Sequence, residues 1–398
     1  MFALPVRYDN IRELPYPYKS LIAISSDADY MNLETLNWLI KFLNTSEQTP
    51  LGNGLDLEFA SSIFFYSNSP LHLCVFDGLK SNSPLSKNAI LLSEYIRYGY
   101  IDTNHAFGDF NSDNLFNREH AIRTYEFLDK HSLHIPVFSN HGNGNLEAMR
   151  QNVGFLPYHQ GNNKSSAAYH VDLFKANGGR YIWTDDWVDE LKVSIGLDGA
   201  TQYNNDGRQL GGGPIMQKLS FEDTYYWFFR RYRSTGIVPP NFQNFNYQIQ
   251  TLNWEWCYNH AAVIIIYQHL GVFGMQKQCI PTTLELLKKN PYYLQGFYFL
   301  KEEMQKGNLM VLSTYNLLRY VEMYLTTKVD CSIGENNEYI YIINNYEHRE
   351  LDFFNGLTIY IENPKFPLKA KYLDADLKFI MNGPDNRGRY SITINSKE

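Results

Sequence analysis

The sequence predicts an α/β protein: a mostly parallel sheet or barrel with helices between its strands, followed by an antiparallel β module. Three observations carry this. Short continuous apolar runs alternate with segments whose apolar residues fall at helical spacing. Polar clusters follow the apolar runs rather than interrupt them. Near Thr326 the pattern changes to alternating β-branched and aromatic runs separated by Asn, Gly and Pro.

Ser20–Ser26 (SLIAISS) reads as the first buried strand and stops at Asp27-Ala28-Asp29. Leu33–Leu43 has helical spacing, and Ser61–Tyr66 reads as a second strand. Asn88–Tyr98 reads as a helix closed by Gly99, followed by a third strand at Tyr100–Asp102. A helix at Arg118–His131 and strands at Ile135–Phe138, Tyr181–Thr184 and Ala261–Tyr267 continue the alternation. Asn308–Tyr324 reads as a strand-to-helix unit. The runs Tyr339–Tyr346, Leu357–Glu362, Lys371–Ile380 and Tyr390–Asn395 then form the β module, so the chain divides into 1–325 and 326–398. Gly196–Pro214, rich in Gly, Asn and Asp, reads as a long loop, either functional or a tolerated surface insertion.

Composition narrows the partners. The 398 residues carry a net charge of −7 with no basic run, so nothing provides an electrostatic footprint for nucleic acid. No apolar run approaches the ~18 residues of a membrane span. The first residues show no basic stretch leading into an apolar segment, so no signal peptide is expected and a cytoplasmic location is. Cys74, Cys257, Cys279 and Cys331 are widely spaced and read as reduced, mostly buried thiols. The 31 Tyr and 25 Phe suit core packing, or stacking on sugar faces.

Five strand ends carry polar groups. Asp27 and Asp29 stand two apart, so in an extended chain both face one site, as cation ligands or as one ligand and one general base. They equally suit a turn or helix N-cap. In Asn104–Asp109 (NHAFGD), one helical turn would put His105 and Asp109 on one face, able to grip a divalent ion. The alternative is a capping Asp109 and a surface His105. Phe138–Gly144 (FSNHGNG) sets Asn140 and His141 in a Gly-rich turn, His141 as a further ligand, a substrate contact or an incidental turn residue. Trp183–Trp187 (WTDDW) places Asp185 between two indoles, a wall for a sugar or a packed aromatic pair. His269 follows the run Ile264–Tyr267, where it suits acid–base work or a structural hydrogen bond. In α/β barrels and open sheets, reactive groups gather past the carboxyl ends of strands, and all five clusters stand there.

Taken in order, these clusters resemble the motifs of the polysaccharide deacetylase family, the NodB-homology or carbohydrate esterase family 4 group. The best local likeness is Leu91–Asp109 (LLSEYIRYGYIDTNHAFGD), similar to the family's helix, Gly, short strand and Asn-His-(Ser/Thr)-x-x-His-like turn. Ser25–Asp29 resembles the Asp-x-Asp form of the first motif, Trp183–Trp187 the Asp-rich stretch ending in Trp, and Ala262–His269 the last motif. Asp109 stands where the family's second His usually does, and Ser139–Gly144 lacks the family's Arg-Pro-Pro-Tyr-like loop.

The resemblance implies a distorted (β/α) barrel of the NodB deacetylase type over 1–325, with the β module outside it. It implies Asp27 as catalytic base, His269 as catalytic acid, and Asp29, His105 and Asp109 as metal ligands, with His141 as the alternative ligand. Zn2+ is the first expectation, and the oxygen-rich set would also accept Mn2+, Co2+ or Ni2+. Asn140, His141, Trp183, Asp185 and Trp187 are the expected substrate contacts. The implied activity is hydrolysis of an N-acetyl or O-acetyl group on an amino sugar or glycan precursor. Two other readings stay open: a metal-independent glycoside hydrolase using Asp29 and Asp185, and a glycan-binding protein on a decayed deacetylase scaffold.

Overall fold

The computed structural model describes residues 2–4, 7, 9–110, 115–141, 146–149, 159–183, 215–221, 224–232, 240–274, 284–334, 337–347 and 349–395. Seven-residue runs such as SLIAISS are buried at every position, the condition of a strand covered on both faces. The strands that matter here are β1 (Ser20–Ser26), β2 (Ser61–Ser67), β3 (Ile101–His105), β4 (Val137–Ser139), β5 (Tyr181–Trp183), β6 (Met216–Phe221), β7 (Thr224–Phe229), β8 (Ala262–Gln268) and β9 (Leu309–Leu312). The helices between them include α1 (Leu33–Asn44), α2 (Ala89–Arg97), α3 (Arg118–Lys130), α4 (Val171–Ala176), α5 (Gln295–Gln305) and α6 (Thr314–Thr326). Asn32 caps α1 by accepting the Thr35 N–H, and Asn117 opens α3 in a reciprocal pair with His120. Gly99 follows α2 at φ +75°, a left-handed conformation that glycine adopts without strain.

The strands build an 11-stranded sheet, in the order Phe2–Ala3, β8, β1, β2, β3, β4, β5, β7, β6, with β9 on β1 and Cys74–Asp77 on β2. The pairings are parallel except at Phe2–Ala3 with β8 and in the β6–β7 hairpin. Among the described residues the sheet curls without completing a ladder all round. Tyr232, just past β7, meets Ile266 of β8 in a single parallel bridge.

Alternation sorts the side chains. Ile22, Ile24, Phe138, Ile182, Phe228, Ile264 and Ile266 face outward into a cluster that includes Leu39 of α1, Leu92 of α2, Leu128 of α3 and Phe297 of α5. The odd-numbered Leu21, Ala23, Val137, Tyr181, Trp183, Trp227, Phe229, Val263 and Ile265 form the inner face. They share one buried apolar cluster with Leu317, Val321 and Tyr324 of α6 and with Tyr341, Ile343, Phe354, Ile359 and Ile392 beyond it.

The C-terminal part has a four-stranded sheet made of β10 (Thr327–Ile333), β11 (Tyr339–Asn345), β13 (Leu368–Tyr372) and β14 (Ala375–Leu377). A three-stranded sheet has the order β12 (Thr358–Tyr360), β16 (Ser391–Ile394), β15 (Phe379–Asn382). All pairs are antiparallel except β11 with β13. Differences from the sequence reading are local. Lys371–Ile380 spans parts of three strands because turns interrupt it, β10 follows α6 directly, and the β6–β7 hairpin adds an edge to the main sheet. The Gly196–Pro214 loop lies outside the described residues. Among the described residues no helix is long and apolar enough to cross a membrane.

Candidate metal centre

The odd-numbered face continues past the carboxyl ends of the strands, and there it turns polar. Leu21, Ala23 and Ser25 lead to Asp27 and Asp29; Val263, Ile265 and Tyr267 lead to His269; Val137 and Ser139 lead to His141. The segments after β1 and β8 are laced together: the Asp27 N–H donates to the Gln268 carbonyl (2.8 Å) and the Leu270 N–H to Ser26 Oγ (2.9 Å). Gly271 lies so close to the first segment that a Cβ there would meet backbone atoms of Asp29, Tyr30 and Met31 at 2.8 Å.

His105 is the last residue of β3 and only 1% exposed, stacked on Phe64 with ring centroids 5.0 Å apart. The segment after it is not a helical turn. Ala106 and Phe107 take left-handed φ values of 46° and 59°, held by Asn104 Oδ1 accepting the Phe107 N–H at 2.9 Å. The chain therefore reverses, and Asp109 comes to stand 3.7 Å from His72 rather than one turn above His105.

Three imidazoles converge on Asp29. Its Oδ2 lies 3.4 Å from Nε2 of His105 and 3.4 Å from Nε2 of His269, and its Oδ1 lies 3.4 Å from Nε2 of His141. Donor atoms of Asp29, His105 and His141 all fall within 4.8 Å of one another, and so do those of Asp27, Asp29 and His269. Two donors about 2.0–2.1 Å from one tetrahedral ion would stand about 3.3–3.4 Å apart, the spacing found here. Nε2 of His105 and Oδ2 of Asp29 are buried and make no hydrogen bond, which in a native interior calls for an unseen partner. The imidazoles are also set from behind. Nδ1 of His105 faces the Ser139 carbonyl (3.3 Å) and Nδ1 of His269 the Pro240 carbonyl (2.9 Å), so each donates there and turns Nε2 to the centre. The cluster has the donors, spacing and orienting partners to coordinate a metal ion.

Asp27 is held differently. Its carboxylate accepts two bonds from Arg231, at 2.6 and 3.1 Å, and one from Ser139 Oγ at 3.3 Å. Arg231 has no exposed surface, and its guanidinium lies between the rings of Trp183 and Tyr267, 3.8 and 4.0 Å from their centroids. Burial disfavours the charged form of Asp27, but Arg231 and then His105 outweigh it and keep the carboxyl below its ordinary value. At Asp29 burial is likewise outweighed, by the three imidazoles, which hold it well below the usual carboxylate range. The same attraction overcomes burial at His141, raised to about 9, and raises His269.

The other expected contacts are placed as follows. Asn140 gives Nδ2 to the carbonyls of Met149 (2.8 Å) and Trp183 (2.9 Å) and takes the Met149 N–H on Oδ1 (2.9 Å), so its amide ties the His141 segment to β5. Trp183 is 8% exposed and forms one wall of the Arg231 sandwich. Asp185 and Trp187 lie outside the described residues. Sequence reasoning missed Arg231. Its signal was the one that marked the other clusters: a charged pair, Arg230-Arg231, directly after the aromatic run TYYWFF. No protein-family model matches the chain, and no curated protein matches it either.

Proposed function

We propose that the chain is a metal-dependent deacetylase acting on an N-acetyl or O-acetyl group of an amino sugar or glycan precursor. The observation that carries this reading is the convergence of Asp29, His105 and His141 beside a carboxylate, Asp27, that is separately anchored by Arg231. In this reading Asp29, His105 and His141 hold the ion, with Zn2+ favoured by two imidazoles and a carboxylate. When bound, a divalent cation supplies polarisation of an acetyl carbonyl and acidification of a water.

Asp27 takes the proton of the attacking water. Arg231 fixes that carboxylate in orientation and in the anionic form, so it acts as a base only toward water whose own pKa has been lowered. His269, with Nδ1 donating to Pro240, carries a second proton on Nε2 when protonated, and its raised pKa keeps that proton available for the leaving amine or alkoxide. The distorted NodB-type barrel fits the curled sheet and its strand-end placement of all five groups, Asp27, Asp29, His105, His141 and His269. A metal-independent glycoside hydrolase is less well supported, because Asp29 is surrounded by imidazoles instead of standing free as a nucleophile or base.

Acetate release from a panel of N- and O-acetylated sugars, run alongside metal analysis of the purified chain, tests the reading. The expected result is a bound divalent ion, acetate release on at least one substrate, and loss of both in Asp29→Ala and His105→Ala. Full metal content in both variants would sink the ligand assignment. Metal bound with no acetate from any substrate would sink the activity.

A further inference from the structure

At the other end of β7 from Arg231 lies a cavity of ≈ 310 Å³. Tyr225, on its wall, lies six residues before Arg231, about 20 Å along an extended chain, so the cavity and the metal centre are separate. Among the described residues its charge is unbalanced. Lys175, Arg180 and Lys218 line it against one carboxylate, Glu347, in a chain whose net charge is −7. Behind the wall Glu322 bridges Arg180 and Arg349, so Glu322 and Arg349 cancel. Glu347 is fully engaged, accepting from Arg180 and Lys218 at 3.0 Å and from Arg349 at 2.6 Å.

Lys175 is in no ion pair with a described residue; its Nζ lies over the Tyr226 ring, 5.8 Å from the centroid. Partial burial, and then repulsion from Arg180, push its ammonium below the ordinary value. Lys218 stands over Tyr225 (5.0 Å) and Trp227 (5.7 Å), and Tyr225 is 57% exposed, a ring face open to a ligand. Mutually repelling cations around a cavity with an exposed aromatic wall suit an anion carried on a body with a flat apolar face. The volume is at the small end of ligand pockets, about 300 Å³, which limits that body to a single small ring.

We infer that this cavity binds a phosphate monoester of a monosaccharide, the dianion meeting Lys175 and Lys218 and the sugar packing on Tyr225. The site does not depend on the metal centre or on its proposed reaction.

Calorimetric titration of the full chain with glucose 6-phosphate, inorganic phosphate and glucose tests this. Glucose 6-phosphate should bind, inorganic phosphate more weakly, and glucose not at all. Lys175→Glu and Lys218→Glu, both at exposed side chains, should each weaken glucose 6-phosphate binding by about tenfold or more while leaving metal content and circular dichroism unchanged. Tyr225→Ala should reduce glucose 6-phosphate to the affinity of inorganic phosphate. Absence of binding at low salt, or affinity unchanged in both charge-reversal variants, overturns the proposal. So does binding abolished by Asp29→Ala, which would place the ligand at the metal centre.

Discussion

Arg231 carries its charge with no exposed surface, compensated by Asp27 and the faces of Trp183 and Tyr267. Removing one partner of such a pair leaves the other charge buried alone. Arg231→Met should therefore destabilise the chain by about 3–5 kcal/mol in denaturant unfolding, and adding Asp27→Asn should recover part of the loss. Equal stability of Arg231→Met and the parent would show that the pair is solvated. Asp27→Asn and His269→Ala should each cut turnover by about 10²–10⁴ with metal retained, His269→Ala more on amides than on activated esters, because an amine needs a proton to leave. Equal, mild losses on both substrates would reduce these residues to structural roles. The metal site has its own pH signature. Without metal, Asp29 keeps His141 protonated up to about pH 9, and a ligating imidazole must be neutral. Metal binding below that pH displaces the proton, so affinity should fall as pH drops, by about tenfold per unit for each proton displaced. Competition with a chromophoric chelator between about pH 6 and 8.5 measures the slope. A flat profile would remove His141 from the ligand set.

The elements were legible to the extent that burial needs continuous apolar runs. β1, β8 and the helices with apolar stripes announce themselves in this way, and so does the column of odd-numbered residues that ends in Asp27, Asp29 and His269. β3 was harder. Its sequence, IDTNH, is mostly polar yet wholly buried, because Asp102 accepts the Tyr315 N–H (2.8 Å) and Asn104 the Phe107 N–H (2.9 Å). A reader of local pattern ends the strand at the first polar residue and puts His105 on a helical turn. Arg231 was hidden for a different reason: its partner Asp27 is 204 residues away and meets it only because the sheet curls. The loops that bring Asp29 and His269 together depend on Gly271. Gly271→Ala would press a methyl onto backbone at 2.8 Å, which overpacking data price at about 1–3 kcal/mol, and should also loosen metal retention. Thermal melting with metal analysis checks both. Unchanged values would mean that the two loops adjust without the close approach.

Across the whole molecule, the C-terminal sheets and the main sheet share one apolar cluster through α6. Glu322 of α6, fully buried, accepts from Arg180, Tyr181 and Arg349 and joins the same parts. A chain ending at Leu325 keeps every candidate ligand but exposes Leu317, Val321 and Tyr324, so it should aggregate or melt far below the parent by size exclusion and calorimetry. A monomeric product with the parent's melting point would make the module independent. The one-bridge closure made by the described residues has a further consequence, in time rather than in space. Two backbone bonds, Tyr232 N–H to Ile265 (2.6 Å) and Tyr267 N–H to Tyr232 (2.9 Å), fasten it, with the Gln248 amide bridging the Tyr232 and Tyr267 carbonyls at 3.3 and 3.2 Å. Among the described residues this join is shorter than the six-pair ladder of β8 on β1, and a shorter join opens at lower free energy. In deuterium exchange the amides of Tyr232 and Tyr267 should therefore lose protection well before those of Ile264 and Ile266. Each opening parts Arg231 from Tyr267, so the lifetime of the closed join sets how often bulk water reaches Asp27.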